Sequence, residues 1–405
     1  MLKLIVSFDI PGLADGVYRV RAKGFLAASL WWADADGALA DWSAFAYIPI
    51  APSGEGAFRF CGRRAVPPGA SHVLVRAVRP DLCVWEDTLV PLPPGYAGIR
   101  EERREGLKLC IMSDLHLTRE AGRIRRALGR AADSDALLLT GDLVNDGLPE
   151  QYRLLRSCLE ELPAGLPVFA VNGNHDLPPA PLPATGQEEE YPVFLQWLGR
   201  RAGDQGLLWN QDGSGAYSVR LGSAEIIGLN AVSHWRRFTF PEGRQLRFLE
   251  DRLEKTRDSA AWRLVLCHAP LLSHNPQRSP GDTPYLNRDR ELQRILNGQE
   301  RVIFISGHTH FSPNVPEGCV EYEAGARRLY LNDGSVRPTV MGQGKTPGQA
   351  GKQKPDFVGE LIPGEWTSGV YWELHLEESG AGAIELCARS VYTGRRYPRG
   401  YYRFP

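Results

Sequence analysis

The chain has 405 residues, more than one hydrophobic core usually organises, so we expect two domains of equal or unequal size. Hydrophobic residues make up 43% and charged residues 23%, a composition typical of a globular protein and not of a disordered one. The formal net charge is −1, so no global field would recruit nucleic acid or an acidic membrane. We therefore expect neither of these partners.

The compartment is suggested by the cysteines and by the N-terminus. The 7 cysteines are scattered without a CxxC pair, unlike a disulfide framework or a zinc knuckle. The apolar run within MLKLIVSFDIPG is interrupted by Asp9 and Pro11 and is too short for a signal peptide or a membrane span. These features predict a cytoplasmic protein.

Residues 1–92 are predicted to form a small all-β sandwich domain. The alternating runs VYRVRA, FRFCG and SHVLVRAV are separated by Gly, Pro, Asp and Ser turns, and no helical period interrupts them. Residues 93–106 join a Pro/Gly segment to a charge run, which is typical of a linker. Four tryptophans of this domain suggest a surface for protein or carbohydrate, with ordinary core packing as the alternative: Trp31, Trp32, Trp42 and Trp85.

Residues 107–340 show short apolar strands alternating with amphipathic helices, the pattern of a layered α/β domain. A helix is predicted after Pro149, a favourable first-turn residue, and others around Leu249 and Leu292. Residues 341–366 form a Gly/Lys/Pro-rich loop, and residues 367–405 carry two strands that complete a sheet of this domain. The predicted strands that precede polar residues are LKLCIMSD, ALLLTGD, PVFAVNGN, RLVLCH and RVIFISGH.

Polar clusters end each of those apolar runs and would meet at one edge of a sheet. Carboxylate, amide and imidazole groups gathered at strand ends are a ligand set for two divalent metal ions. Such mixed ligands suit Mn, Fe, Zn or Co better than Ca, which prefers oxygen alone. The clusters contain Asp114 and His116; Asp142, Asn145 and Asp146; Asn174, His175 and Asp176; His268; and His308 and His310.

The spacing within two clusters suggests how they grip an ion. Asp114 and His116 are two residues apart, so their side chains would point the same way if the segment were extended. His308 and His310 repeat this spacing. Asp142 ends its strand, where a carboxylate can offer one oxygen to each of two metal ions.

In this order the clusters resemble the calcineurin-like metallophosphoesterase superfamily over roughly residues 107–340. The resemblance implies a four-layer α/β/β/α sandwich and two divalent metal ions, with Mn or Fe favoured. By the resemblance, one ion would bind Asp114, His116, Asp142 and His310. The other would bind Asp142, Asn174, His268 and His308, which makes Asp142 the bridge.

The resemblance also predicts a mechanism. Two ions ~3.5–4 Å apart acidify a bridging water to hydroxide, which attacks phosphorus in line. His175, which is not assigned as a ligand, is the predicted general acid. Many relatives place an acid where this chain has Asn145, so the group that orients His175 stays open among Asn145, Asp146 and Asp176. Purple acid phosphatases have Tyr there, so an Fe(III)–tyrosinate site is not expected.

The segments SDLHL, GDLVNDG and GRQLRFLEDRL are most similar to the bacterial cyclic-nucleotide phosphodiesterase-like group. This similarity implies a phosphodiesterase that acts on a small-molecule phosphoester. A phosphomonoesterase for a small metabolite is the second hypothesis, and a catalytically retired interaction scaffold is the third. Asp176 also has a bland alternative, a turn carboxylate that accepts main-chain hydrogen bonds.

Overall fold

The structure, a computed structural model, comprises two compact units, Met1–Arg104 with Thr393–Arg395 and Glu105–Tyr392 with Arg396–Pro405. The predicted 341–366 loop and nearly all of the 93–106 linker lie outside the described residues. None of the helices in the described ranges is long and apolar enough to cross a membrane. The described residues are 5–7, 18–21, 25, 27–37, 45–49, 55–58, 70–78, 85–92, 106–177, 190–201, 207–211, 213–234, 237–274, 284–310, 313, 319–337, 369–377, 382–391, 394 and 396–405.

The described part of the first unit consists of antiparallel sheets. A three-stranded sheet has the order β1-β2-β5, and a four-stranded sheet has the order β4-β3-β6-β7. Packing of one sheet face on the other, which a sandwich requires, lies outside the described residues. The strands are β1 (Ile5–Ser7), β2 (Tyr18–Arg21), β3 (Ala27–Ala33), β4 (Phe45–Pro49), β5 (Glu55–Phe58), β6 (His72–Val78) and β7 (Trp85–Pro91).

One tryptophan of this unit decides between the two alternatives. Trp32 is fully buried, so core packing, and not a binding surface, is confirmed for this residue. Trp31 is half-buried, and the Arg76 guanidinium carbon lies 6.0 Å from its ring centroid. Trp42 and the side chain of Trp85 lie outside the described residues.

The second unit is built on two mixed sheets. The six-stranded sheet has the order β10-β9-β8-β20-β21-β22, in which β8, β9 and β10 are parallel and the other three strands pair antiparallel. Its strands are β8 (Leu107–Met112), β9 (Ala136–Thr140), β10 (Val168–Val171), β20 (Val370–Leu376), β21 (Ile384–Ser390) and β22 (Arg396–Phe404).

The seven-stranded sheet has the order β11-β12-β13-β16-β17-β19-β18, with a parallel centre formed by β13, β16, β17 and β19. A separate ribbon pairs β14 with β15. These strands are β11 (Leu208–Trp209), β12 (Tyr217–Leu221), β13 (Ala224–Gly228), β14 (Val232–His234), β15 (Arg237–Thr239), β16 (Trp262–Leu266), β17 (Val302–Ser306), β18 (Val320–Glu323) and β19 (Arg328–Asn332).

Helices cover the outer faces of both sheets. The buried residues of α1, α2 and α3 join the core of the six-stranded sheet, and those of α4 and α5 pack on the seven-stranded sheet. The second unit is therefore a four-layer α/β/β/α sandwich, as predicted. The helices are α1 (Gly122–Gly129), α2 (Pro149–Glu160), α3 (Glu190–Arg201), α4 (Arg244–Lys255) and α5 (Asp289–Asn297), with single 3-10 turns at Pro241–Gly243 and Leu272–His274.

Strand β16 shows why its sequence carries no polar alternation. Leu264 and Leu266 lie in the core shared with the six-stranded sheet, whereas Val265 lies in the core shared with α4 and α5. A strand that is covered on both faces is mostly apolar and shows no alternation. Arg263 is the exception in β16: it is fully buried, and its guanidinium donates to the Leu253 carbonyl and to the Gln299 side chain. The polar clusters of the site follow the ends of such strands.

The C-terminal segment contains one strand more than predicted. Strands β20 and β21 were expected, and β20 pairs with β8, which joins them to the six-stranded sheet. The additional strand β22 has the sequence RYPRGYYRF, whose Arg, Pro and Gly hide the alternation that identifies a strand. Its pairing with β21 is irregular between Cys387 and Arg389, as expected for a strand with this composition.

Candidate metal centre

The carboxyl ends of five parallel strands, β8, β9, β10, β16 and β17, bring the polar clusters together. The loops after β8 and β9 run side by side, because the amide N–H of Asp114 donates to the Gly141 carbonyl and that of His116 to Asp142. In the other sheet, the amide of Gly307, after β17, donates to the carbonyl of His268, after β16. The loop after β10 joins them, because the His175 amide donates to Oδ1 of Asp142. Three loops of the six-stranded sheet and two of the seven-stranded sheet therefore meet at one place.

The backbone at this place corrects the argument from spacing. Asp114 and His116 have φ of 51° and 45°, so the segment is left-handed and not extended. His308 and His310 have φ of 70° and 54°, and Asp142 has φ of 51°. Left-handed backbone is unfavourable for these residue types and persists where the surrounding structure enforces it, commonly at functional sites. The paired side chains converge because the chain turns sharply.

One group of side chains comprises Asp114, His116, Asp142 and His310, with one potential ligand atom from each within 4.8 Å of the others. Nε2 of His310 lies 2.8 Å from Oδ1 of Asp114 and 3.1 Å from Nε2 of His116. Nε2 of His116 lies 3.7 Å from Oδ2 of Asp142. Carboxylate oxygens and ring nitrogens therefore face a common point.

A second group comprises Asp142, His268 and His308, so Asp142 belongs to both. Nε2 of His268 lies 3.3 Å from Oδ2 of Asp142. The other ring nitrogen of His268 lies 2.8 Å from the Thr140 carbonyl and donates to it, which leaves Nε2 as an electron-pair donor towards the site. The His308 ring is enclosed by Phe238 and Tyr285, with centroids 5.1 and 4.7 Å away.

Buried atoms of three predicted metal ligands lack hydrogen-bond partners among the described residues. They are Oδ1 of Asp114, Oδ1 of Asn174 and Nε2 of His268, all buried and without a hydrogen bond to any described residue. Buried polar atoms are almost always satisfied, so a group of exceptions requires an explanation. Bound cations would satisfy all three atoms, so the residues present fit metal ions.

The electrostatics of the two carboxylates agree with that explanation. Burial alone would raise the pKa of Asp142, but the nearby His268 outweighs burial and lowers this pKa. The pKa of Asp114 is also lowered, because His310 and His268 oppose the effect of burial. Burial lowers the pKa of His308 to about 3, so this ring is neutral and can donate its electron pair. Two ionised carboxylates in a buried site require nearby positive charge.

His175 is held by main-chain and side-chain contacts of this site. Its amide N–H donates to Oδ1 of Asp142 over 2.8 Å, and its Nδ1 donates to the Asn145 carbonyl over 2.7 Å. Its ring packs edge-on against His116, with centroids 4.6 Å apart. The ring's contact is therefore with a main-chain carbonyl. Every residue has a main-chain carbonyl, so the sequence could not have shown that this one accepts the hydrogen bond of His175.

The other candidates for orienting His175 make different contacts. Asp146 is exposed and accepts hydrogen bonds from the side chains of Asn145 and Gln151, both over 2.8 Å. Asp176 is buried and accepts from the amides of Gly173, Leu143 and Val144 over 2.7 to 3.0 Å. Asp176 thus ties the loop after β9 to the loop after β10.

Comparisons with known proteins agree with this geometry. Residues 107–312, about half of the chain, match the family model of the calcineurin-like phosphoesterases. The chain belongs to this family, and it is a metal-dependent phosphoester hydrolase.

Two curated relatives carry a more specific description. A probable cyclic nucleotide phosphodiesterase from a Synechococcus species is 30% identical over 221 residues, which cover 51% of this chain and 76% of the relative. Another from Psychrobacter arcticus is 27% identical and covers 46% of this chain and 61% of the relative. Among solved structures, a purple acid phosphatase from yellow lupin seeds is 14% identical with a TM-score of 0.48, covering 96% of this chain and 71% of that one.

Gly141→Ala is expected to reduce the metal content of the purified protein and to destabilise it by about 2 kcal/mol or more. Gly141 has φ of +99°, and an added Cβ would lie 2.5 Å from Nδ1 of His268. Metal content is measured by inductively coupled plasma mass spectrometry and stability by thermal melting.

The matched control is Gly129→Ala, in α1, where an added Cβ meets nothing within 4 Å. Alanine is also the better helix former, so this variant should melt no lower than wild type and retain its metal. Wild-type metal content in Gly141→Ala would contradict the account of the site.

Proposed function

We propose that this protein is a phosphodiesterase for a small-molecule phosphoester, with two divalent metal ions, Mn or Fe, as cofactors. One ion is bound by Asp114, His116, Asp142 and His310. The other is bound by Asp142, Asn174, His268 and His308. The observation that carries this proposal is the membership of Asp142 in both groups of converging side chains.

The types of ligand atom support the choice of metal. Each group combines imidazole nitrogen with carboxylate oxygen, and Asn174 adds an amide oxygen that has no hydrogen-bond partner among the described residues. Ca²⁺ and Mg²⁺ prefer oxygen ligands alone, whereas Mn and Fe accept this mixture. The absence of cysteine from both groups agrees with this preference.

When bound, the metal ions would lower the pKa of a water molecule and neutralise charge on the phosphate oxygens. Hydrogen bonds within the site determine which carboxylate oxygens are free to bind the ions. Oδ2 of Asp114 accepts hydrogen bonds from the Ser113 hydroxyl and the His308 amide, which leaves Oδ1 for an ion. Oδ1 of Asp142 accepts the His175 amide, and Oδ2 faces His116 and His268.

His175 is the proposed general acid. Its Nδ1 donates to the Asn145 carbonyl, so a second proton on the ring must be carried by Nε2. The ring is partly exposed and lies beside the ligand groups, where it can give this proton to the leaving oxygen. In this proposal the Asn145 carbonyl, and neither Asp146 nor Asp176, orients the ring.

The substrate class is supported by the relatives' descriptions and by charge. Two relatives are described as probable cyclic nucleotide phosphodiesterases, and cyclic nucleotides are small phosphodiesters. The net charge of −1 offers no global attraction for a nucleic acid. The retired-scaffold hypothesis predicts loss of ligand residues, whereas all the proposed ligands are present.

Protein loaded with Mn²⁺ is expected to hydrolyse bis-p-nitrophenyl phosphate and cyclic nucleotides faster than p-nitrophenyl phosphate. The comparison is made by kcat/KM, with chelator-treated protein as the control. A preference for the monoester would favour the phosphomonoesterase hypothesis. If the metal-loaded protein is inert on every phosphoester, the scaffold hypothesis is favoured.

His175→Ala is expected to lower kcat for the diester by about 10²-fold or more while metal content stays at the wild-type level. The loss reflects removal of a proton donor and not of a ligand. The matched control is Asp146→Ala, because Asp146 contacts Asn145 and Gln151 but not the His175 ring. Its kcat should stay within about threefold of wild type. An unaffected rate in metal-replete His175→Ala would contradict the assignment.

A further inference from the structure

A buried carboxyl group outside the proposed ligands lies between the two sheets. Asp333 directly follows β19 of the seven-stranded sheet and is 1% exposed. Its amide donates to the carbonyl of Ser306, at the end of β17, and its carbonyl accepts from the Trp372 indole over 3.1 Å. Its main chain is therefore held on both sides.

The side chain of Asp333 contacts two hydroxyl groups of the other sheet. Its Oδ1 lies 2.5 Å from the Ser113 hydroxyl, in the loop after β8. Its Oδ2 makes a short contact with the Thr140 hydroxyl, at the end of β9. The carboxyl group thus joins the ends of the two parallel strands from which the first clusters begin.

Each hydroxyl-bearing residue leads to a different proposed ligand. The Ser113 hydroxyl also lies 2.5 Å from Oδ2 of Asp114. The Thr140 carbonyl accepts the Nδ1–H of His268 over 2.8 Å. Asp333 is therefore one residue removed from Asp114, in the first ligand group, and from His268, in the second.

We propose that Asp333 is a positioning residue that sets the orientation of Asp114 through Ser113 and of His268 through Thr140. This inference rests on the proposed function, because both targets are proposed metal ligands. By directing the Ser113 hydroxyl to Oδ2 of Asp114, Asp333 keeps Oδ1 turned towards the metal. Replacing a residue that hydrogen-bonds to a metal ligand commonly lowers metal affinity by about 10- to 100-fold.

The number of hydrogen atoms defines how Asp333 acts. Three short oxygen–oxygen contacts join Asp114, Ser113, Asp333 and Thr140, but the two hydroxyls supply only two hydrogens. A hydrogen on Asp333 completes the chain, because Asp333 then donates to Ser113 and Ser113 donates to Asp114. Burial raises the pKa of Asp333 to about 8, in agreement with a neutral carboxyl group.

This pattern predicts a difference between two substitutions. Asp333→Asn keeps one donor and one acceptor in the places of the neutral acid, so it should bind Mn²⁺ within about threefold of wild type. Asp333→Ala removes both and should weaken Mn²⁺ binding by at least tenfold. Affinity is measured on the full chain by competition with a fluorescent chelator. The visible absorption of the Co²⁺-loaded protein reports the ligand geometry and should change in Asp333→Ala alone.

Ser113→Ala tests the same path with a smaller perturbation, and it serves if Asp333→Ala does not fold. It should weaken Mn²⁺ binding in the same direction, and the Ser113→Ala/Asp333→Ala double variant should lose less than the product of the two single effects. Fully multiplicative losses would show independent action and overturn the path through Ser113.

Glu225→Ala is the control for loss of a buried carboxylate. Glu225, at the start of β13, is 3% exposed and pairs with Arg252 over 2.6 Å. This variant should melt lower than wild type while Mn²⁺ affinity and the Co²⁺ spectrum stay unchanged. Wild-type Mn²⁺ affinity in Asp333→Ala, or equal weakening in Asp333→Asn and Asp333→Ala, would overturn the proposal.

The metal readouts separate this inference from the proposed function. If the protein hydrolyses no phosphoester but its variants show the expected Mn²⁺ and Co²⁺ effects, the positioning role of Asp333 is supported and only the proposed function is contradicted. If the Asp333→Ala variant hydrolyses the diester at the wild-type rate and binds Mn²⁺ with wild-type affinity, the proposed function is supported and only the positioning role of Asp333 is contradicted.

Discussion

The constraint on which the second unit depends is the burial of two carboxylates at the junction of its sheets. Asp114 and Asp142 are at most 2% exposed, and nearby histidines lower the pKa of both. Removing such charges from water is costly unless opposite charge is close. Imidazole nitrogens alone supply it incompletely, since His308 is neutral. Bound metal ions would complete the balance and would account for the atoms of Asp114, Asn174 and His268 that lack hydrogen bonds.

Groups other than the proposed metal ligands hold these two carboxylates in their buried positions. Left-handed backbone at five proposed ligands is a strained arrangement that the surrounding hydrogen bonds must enforce. Two further buried carboxyl groups provide such bonds. Asp176 ties the loops after β9 and β10, and Asp333 ties the ends of β8 and β9 to the other sheet. Four buried acids thus lie at or beside this junction, of which two are proposed ligands.

Much of the fold and the convergence of the polar clusters could be predicted from sequence, because strands covered on both faces are mostly apolar and polar clusters follow their ends. Features without such contrast were missed. Strand β22 is rich in Arg, Pro and Gly, and the Asn145 carbonyl is a main-chain group. The spacing of residues also does not reveal backbone dihedral angles, so extended backbone was expected at Asp114 and His116, where the structure has left-handed backbone. Asp333 directly follows the apolar strand β19, so the search for polar residues at strand ends could have found it.

The central claim is that Asp142 is shared by two metal ions. The most direct test is X-ray diffraction from crystals of the Mn²⁺-loaded protein, with anomalous difference maps recorded near the Mn absorption edge. Two peaks ~3.5–4 Å apart are expected, with the carboxylate of Asp142 contacting both. A single peak, or two peaks of which only one is contacted by Asp142, would contradict it.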